Sequence, residues 1–414
     1  MNVSDSERIA SMLSSLDYVP ASNLEDADLA LVNMCSVRQT AVDRVHGLAK
    51  KFREIREKNK KFTAILTGCV LKKDSQKLCK IFDYVIDVRE IKDLAKFLGS
   101  KSFDSIDHYL QIAPAHQSKF SANVPIMTGC NNFCTYCVVP YTRNRETSRP
   151  AKEIVAEITK LVKKGYKEIW LLGQNVNSYH GLILSKKGWT SFSELLEMIE
   201  EIPGEFWVRF TSSHPKDFNE KVIKTTASCK KVTPYLNLPV QSGDNAILKK
   251  MNRRYKVSDY KALIKKARKE IPNLCLSTDI IVGFPGETQK QFENTAKLFR
   301  EVGYDMAYIN KYSPRPGTAA EKLNDNVSKE EKKNREKILT EILKETALEN
   351  NKKIVGKETV VLIDSKTNDG WLGKNDQYKT VKIKSNGQKK DLVGKFVNVK
   401  ITKAMEWALE GEIK

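Results

Sequence analysis

From about Asn123 to Ser313 the chain alternates short apolar runs with amphipathic stretches, and no other feature restricts its fold as tightly. Strand candidates are 124–129, 168–173, 206–211, 235–240, 275–284 and 305–313, with helical periodicity at 151–164, 191–202, 217–228, 256–270 and 288–302. Brief apolar runs joined by amphipathic crossovers pack as parallel strands covered by helices. Six such units predict a parallel barrel or open half-barrel in preference to a doubly wound sheet. The reason is that every strand candidate ends in polar or glycine-rich residues, where the chemistry of a barrel sits. The expected class is α/β, with a central partial (βα)6 barrel.

Two segments flank this core. Before it, ADLALVNMC (27–35) and FTAILTGC (62–69) read as buried strands, each ending in a cysteine. Between them, Thr40 to Lys61 reads as one long amphipathic helix with a basic outer face, and 80–88 is a third strand candidate. This predicts a small α/β domain with parallel strands, its two cysteines at the strand ends where ligands of such sheets bind. The polar stretch from Ser100 to Ser121 reads as a linker. After the core, a charged helix is expected over 328–353. Four alternating runs then follow, ETVVLIDS, QYKTVKIKS, FVNVKIT and ALEGEIK, separated by turn residues. They predict a small antiparallel β-barrel. Its segment, 351–414, carries 14 Lys against 8 Asp and Glu, which suits either RNA binding or a structural cap. The domain bounds expected are 1–100, 116–347 and 350–414.

Charge points the same way. With 71 Lys and Arg against 51 Asp and Glu, the formal net charge is +20, a balance that attracts polyanions. A lysine-rich surface without a nucleic-acid partner gives the same sum. No apolar run approaches the ~20 residues of a membrane helix. The opening MNVSDSERIA carries no apolar core of a signal peptide. A cytoplasmic monomer is expected.

Eight cysteines occupy positions 35, 69, 79, 130, 134, 137, 229 and 275. In a cytosolic chain they serve as small buried residues, redox groups or metal ligands rather than disulfides. Three fall together as Cys130-x3-Cys134-x2-Cys137, where the first barrel strand runs into a loop. Thiolates at this spacing can hold three irons of a cubane cluster and leave the fourth iron open. A structural zinc site wants four closed ligands, and no fourth cysteine stands nearby.

The run GCNNFCTYCVVPYTRNRETSR (129–149) resembles the signature of radical S-adenosylmethionine enzymes. With LLGQNVNSYHG (171–181), RFTSSHP (209–215), LPVQSG (238–243), TDIIVGFPGET (278–288) and SPRPGT (313–318), it is similar to the tRNA methylthiotransferase family. The nearest resemblance is to the branch acting on isopentenylated adenosine beside the anticodon. The resemblance implies an N-terminal methylthiotransferase domain, a radical core and a C-terminal TRAM domain. It also implies two [4Fe-4S] clusters, S-adenosylmethionine, a tRNA anticodon stem-loop as substrate, a flavodoxin or ferredoxin as electron donor, and a sulfur source. The expected reaction is methylthiolation at adenine C2. Left open are the same chemistry on threonylcarbamoylated adenosine or on a ribosomal-protein aspartate, and a cluster-bearing RNA-binding protein without catalysis.

By the same resemblance, Cys130, Cys134 and Cys137 hold the radical cluster, and Cys35 and Cys69 are two of three ligands of the auxiliary one. The third would precede Met1, so a start codon assigned too late is expected, and the auxiliary cluster should assemble poorly on this chain. Tyr136, Arg143, Gly173, Gln174, Asn175, Gln241 and Gly283 are the expected cofactor contacts. Arg145 and Arg149 suit a cofactor carboxylate or RNA phosphate, or are exposed salt-bridged arginines. Gly283 and Gly286 either admit the adenine or only turn the chain. Asn144 stands where the family has glycine, a mild change because Asn tolerates positive φ. His214 is expected to hydrogen-bond at a strand end, and Cys229 and Cys275 to sit in the core.

Overall fold

The computed structural model describes residues 1–99, 108–182, 188–385 and 391–414. The chain falls into two compact units. One comprises 1–117, 128–147 and 313–322; the other comprises 118–127, 148–312 and 323–414.

The first unit is built on a parallel sheet in the order Leu29–Cys35, Thr63–Cys69, Tyr84–Val85. Both faces are covered, so its central strand is apolar along its length. Ala64 and Leu66 pack with Phe52, Ile55, Leu78 and Phe82 on one side. Ile65 packs with Ile9, Met12, Ile91 and Leu94 on the other. The single helix expected over 40–61 is two, Gln39–His46 and Leu48–Lys58, interrupted at Gly47, the residue least able to sustain a helix interior apart from proline. The third strand shrinks to Tyr84–Val85 because the Asp83 carboxylate takes the Ala64 N–H at 2.8 Å in place of a ladder bond.

The linker expected from Ser100 falls partly outside the described residues, and its remainder is only partly solvated. Tyr109, Leu110 and Ile112 are buried in the first unit, and the Arg8 guanidinium donates to the Ile112 carbonyl. Apolar side chains in a polar-looking stretch gave little periodic signal, yet they close one face of the sheet.

In the second unit, the strands Ser121–Pro125, Glu168–Leu172 and Trp207–Phe210 form one parallel run, and Tyr235–Asn237, Cys275–Val282 and Met306–Lys311 form another. The runs meet through the parallel bridge Val208–Val232. Strand order follows chain order, and Ser121–Pro125 and Met306–Lys311 remain as edges, which makes this a partial barrel and not a doubly wound sheet. Val124, Ile169, Leu171, Val208, Phe210, Leu236 and Leu276 share one core with residues of the covering helices, among them Ile154, Leu195, Ile223, Ile264, Phe299 and Leu339. By the two-residue strand period, Trp170, Arg209, Asn237, Ser277 and Asp279 lie on the opposite face.

The tail is a closed five-stranded barrel in the order Glu358–Thr367, Gly370–Asn375, Thr380–Lys384, Leu409–Ile413, Phe396–Ala404. The sequence reading missed Gly370–Asn375, whose two glycines in six residues hide the alternation. Gly370 is required there: at φ +152° a Cβ would stand 1.9 Å from the Ile383 carbonyl oxygen. Arg209 fastens this barrel to the half-barrel. Only 1% exposed, it pairs with Glu168 at 2.6 Å and donates to the carbonyls of Asn375 and Asp376 at 2.8 and 2.7 Å. Lys379 adds an ion pair to Asp305 at 2.6 Å.

Near this junction burial, and then the charge of Glu168, pushes the Asp364 carboxyl up to about 6. The folded chain holds that proton to higher pH than the unfolded one does. The unfavourable contribution is therefore absent below pH ~4, grows between ~4 and ~6, and is complete above that window. Asp364→Asn should raise the melting temperature at pH 7.5 and leave it nearly unchanged at pH 4. Calorimetric gains of equal size at both pH values would refute the assignment.

Candidate functional site

The cysteine loop, 128–147, is closed at its neck by backbone. Gly129, at φ +82°, would place a Cβ 2.1 Å from the Arg145 carbonyl oxygen, so no other residue lets the two arms meet. The Cys130 N–H then donates to the Asn144 carbonyl at 3.1 Å. Asn144 itself takes φ +61°, which explains why Asn serves in a position that suits glycine. Beyond the neck, the Cys137 N–H donates to the Cys134 carbonyl at 3.0 Å in a tight turn. Cys130, Cys134 and Cys137 form no disulfide and each is partly exposed. Burial pushes the Cys130 thiol up, and the Asn132 amide donates to its sulfur at 3.6 Å. Among the described residues no three His, Cys, Asp or Glu side chains converge as a single metal ion requires. A cubane takes one thiolate on each of three irons and needs no such convergence. Tyr136 lies between the second and third cysteines, half-buried.

Cys35 and Cys69 end adjacent parallel strands as register partners. Cys35 is partly exposed and Cys69 buried. Arg143, expected at the cofactor, is committed instead to this corner of the first unit. Its Nε donates to the Cys69 sulfur at 2.9 Å, Nη1 to the Tyr109 hydroxyl at 3.2 Å, and Nη2 to Asn2 at 3.3 Å and to the Asp5 carboxylate. Tyr109 in turn donates to Asp5 at 3.2 Å. Arg143 is 2% exposed and Asp5 fully buried. Burial pushes the Cys69 thiol up while the guanidinium pulls it back. Sequence reasoning missed Asn2, Asp5 and Tyr109, because pairs separated by a hundred residues leave no local signal. Cys79 sits exposed at the end of the helix Lys72–Leu78.

In the second unit, Gly173, Gln174 and Asn175 follow the strand Glu168–Leu172. A Cβ on Gly173 would lie 2.6 Å from Met127 Cγ, so packing demands the glycine. Asn175 donates to Asp217 at 2.7 Å. Its Oδ1, the Gln174 Oε1, both amide atoms of Asn177 and the Ser213 hydroxyl are buried without a hydrogen-bond partner. Unsatisfied buried polar atoms are rare enough to need an explanation, and a polar ligand is one. Asn177 and Ser213 were not singled out in the sequence, although both lie inside the motifs quoted. Two non-glycine residues at strand ends hold left-handed backbone, Ser212 at φ +64° and Gln241 at φ +73°. Such strain concentrates at functional sites.

Gly283 also has positive φ, but the room a Cβ would need is filled by the Lys332 stem, Cγ 2.3 Å away. Its N–H donates to the Glu287 carboxylate at 2.6 Å, itself paired with Arg335 at 2.8 Å. Packing alone accounts for this glycine. Arg149 is buried and paired with Glu157 at 2.7 Å. Burial, with Arg253 beside it, holds the His214 imidazole down at about 2, so it stays neutral, and its Nδ1 accepts the Lys216 N–H at 3.2 Å. Cys229 and Cys275 are buried.

The chain is 41% identical over 430 residues to the tRNA-2-methylthio-N(6)-dimethylallyladenosine synthase of Clostridium tetani, covering all of this chain and 94% of that protein. The chain belongs to this family. The synthase of Dictyoglomus thermophilum is 38% identical over 429 residues, with 100% and 96% covered. Three family models match in order: the uncharacterized protein family UPF0004 over 1–88, the radical SAM superfamily over 124–299 and the TRAM domain over 352–414. A solved structure, the radical S-adenosylmethionine methyltransferase TsrM of Kitasatospora setae, superposes with a TM-score of 0.54 at 14% identity. It covers 75% of this chain and 68% of its own, a likeness of fold. Family membership makes the chain a radical SAM enzyme with a UPF0004 domain, a radical core and a five-stranded TRAM barrel.

Proposed function

We propose that the protein methylthiolates C2 of N6-dimethylallyladenosine beside the anticodon of tRNA. The observation that carries this reading is the trio of cysteines on a glycine-necked loop after the first barrel strand, in a chain so similar throughout to named synthases. Cys130, Cys134 and Cys137 would hold a [4Fe-4S] cluster, leaving one iron for S-adenosylmethionine. When bound, that pair supplies one-electron cleavage of the sulfonium and a hydrogen abstraction at adenine C2 that polar catalysis cannot reach.

The chain's own residues do the rest. The unpartnered amide oxygens of Gln174 and Asn175, the amide of Asn177 and the Ser213 hydroxyl offer donors and acceptors to the polar cofactor, with Gln241 and Tyr136 as further contacts. Gly173 and Gly283 act through packing. Arg143 holds Cys69 rather than the cofactor. Cys35 and Cys69, side by side at two strand ends, are proposed as ligands of a second cluster that handles the inserted sulfur. The lysine-rich TRAM barrel offers positive charge to RNA phosphate. An external one-electron donor of the flavodoxin or ferredoxin kind and an external sulfur source complete the reaction, in the cytoplasm. No helix among the described residues is long and apolar enough to cross a membrane.

The test is nucleoside analysis of tRNA from a strain lacking its own enzyme and supplied with this chain. The 2-methylthio derivative is expected. Adenosine carrying only the isopentenyl group would overturn the catalytic reading.

A further inference from the structure

The cysteine loop carries a second feature that none of the roles above uses. Tyr141 is 52% exposed, on the one-turn helix Val139–Thr142 whose Pro140 and Thr142 are buried. Its ring meets Phe133 edge-on, centroids 6.2 Å apart at 89°. The Arg145 guanidinium lies over the other ring, 4.3 Å from the Phe133 centroid. Arg145 is itself exposed and makes no ion pair among the described residues.

This group is held in place. Phe133 keeps φ +48°, a conformation that costs a non-glycine residue ~1–2 kcal/mol and persists only where its surroundings impose it. Two of those surroundings are visible. The Gly129 neck fixes Arg145, and Asn131 and Glu146 brace the two arms of the loop through three hydrogen bonds of 3.3–3.4 Å. Phe133 is the residue before Cys134, and Tyr141 stands four residues past Cys137, so the aromatic pair is built into the loop that carries the cluster ligands.

A solvent-facing aromatic ring beside a guanidinium plane is what unstacked nucleobases bind, since every base has a π face. A protein partner would want a wider apolar patch, but Asn131, Asn144 and Arg145 on the same loop are exposed and polar. The formal charge of +20 favours a polyanion as well. An enzyme acting on a base must take it out of its stack, which leaves adjoining bases without a neighbour. We infer that Tyr141, backed by Phe133 and Arg145, is a stacking platform for a nucleotide next to the target adenosine, a positioning role that rests on the tRNA reading above.

The experiment is fluorescence anisotropy with a labelled anticodon stem-loop RNA containing N6-dimethylallyladenosine. Tyr141→Ala should weaken binding about 10-fold, and Tyr141→Leu nearly as much, while Tyr141→Phe stays within about twofold, because only the π face is needed. The salt dependence should be unchanged in Tyr141→Ala and shallower by about one counterion in Arg145→Ala. Turnover of Tyr141→Ala should show a raised KM with kcat retained. Iron content and melting temperature check that the loop has folded. If Tyr141→Ala melts early, Tyr141→Leu against Tyr141→Phe carries the comparison. Wild-type affinity in folded Tyr141→Ala overturns the platform and leaves Tyr141 to a protein contact. Failure of the parent chain to bind the stem-loop overturns the tRNA reading instead.

Discussion

Changing Cys130, Cys134 and Cys137 together to alanine should abolish dithionite-driven cleavage of S-adenosylmethionine and remove about one cluster's worth of iron. The loss is expected to be complete, because cleavage needs an electron delivered through iron and no side chain substitutes for it. The fold should survive. The loop is closed by the Gly129 neck and by the bond from the Cys130 N–H to the Asn144 carbonyl, at 3.1 Å, and neither uses a thiol. The melting temperature of the metal-free triple variant should therefore match that of the metal-free parent within a few degrees. Cys229→Ala is the matched control, since that cysteine only fills the core of the second unit. Anaerobic reconstitution, iron counting and chromatography of the nucleoside product measure the effect. A triple variant that keeps both its iron and its cleavage would move the cluster to other ligands and remove the main support for the catalytic reading.

Most of the half-barrel was legible because its two periods are clean. Strands such as EIWLL bury nearly every residue, and helices such as Gln289–Val302 show one apolar stripe and a Thr288–Gln291 capping box. The cysteine spacing was legible for a similar reason: ligands of one cluster must be near in chain when a single loop supplies them. What could not be read was tertiary. Gly370–Asn375 is a strand only because its neighbours complete a closed barrel, and Gly283 owes its missing side chain to Lys332, 49 positions away (332 − 283). Arg143 looked like a cofactor residue from the motif around it. Its partners, Asp5 and Tyr109, become visible only once the first unit has folded.

Those partners make Arg143→Ala the most destabilising single change expected in the first unit. The substitution removes the guanidinium from Asp5, fully buried and held through that contact, and leaves it the Tyr109 hydroxyl as a hydrogen-bond donor. Removing one member of a buried ion pair costs about 3–5 kcal/mol, because the remaining charge stays desolvated. Asp5→Asn with Arg143→Met replaces both charges by neutral groups of similar shape and should recover much of the loss, which gives a double-mutant cycle with coupling above ~1 kcal/mol. Arg143→Lys keeps the charge but not the fork that reaches Cys69, Tyr109, Asn2 and Asp5 at once, so an intermediate stability is expected. Urea unfolding followed by circular dichroism reads the parent, Asp5→Asn, Arg143→Met, their double, Arg143→Ala and Arg143→Lys, and the second unit, with its own core, should melt as in the parent. Alkylation of Cys69 supplies a measurement that stability alone does not move: under native conditions its pH profile should shift upward in Arg143→Ala and less in Arg143→Lys, as the guanidinium that favours the thiolate is lost or loosened. A single variant that loses less than ~1 kcal/mol, with the pH profile of Cys69 alkylation unmoved, would mean that the buried pair does not hold the loop to the sheet.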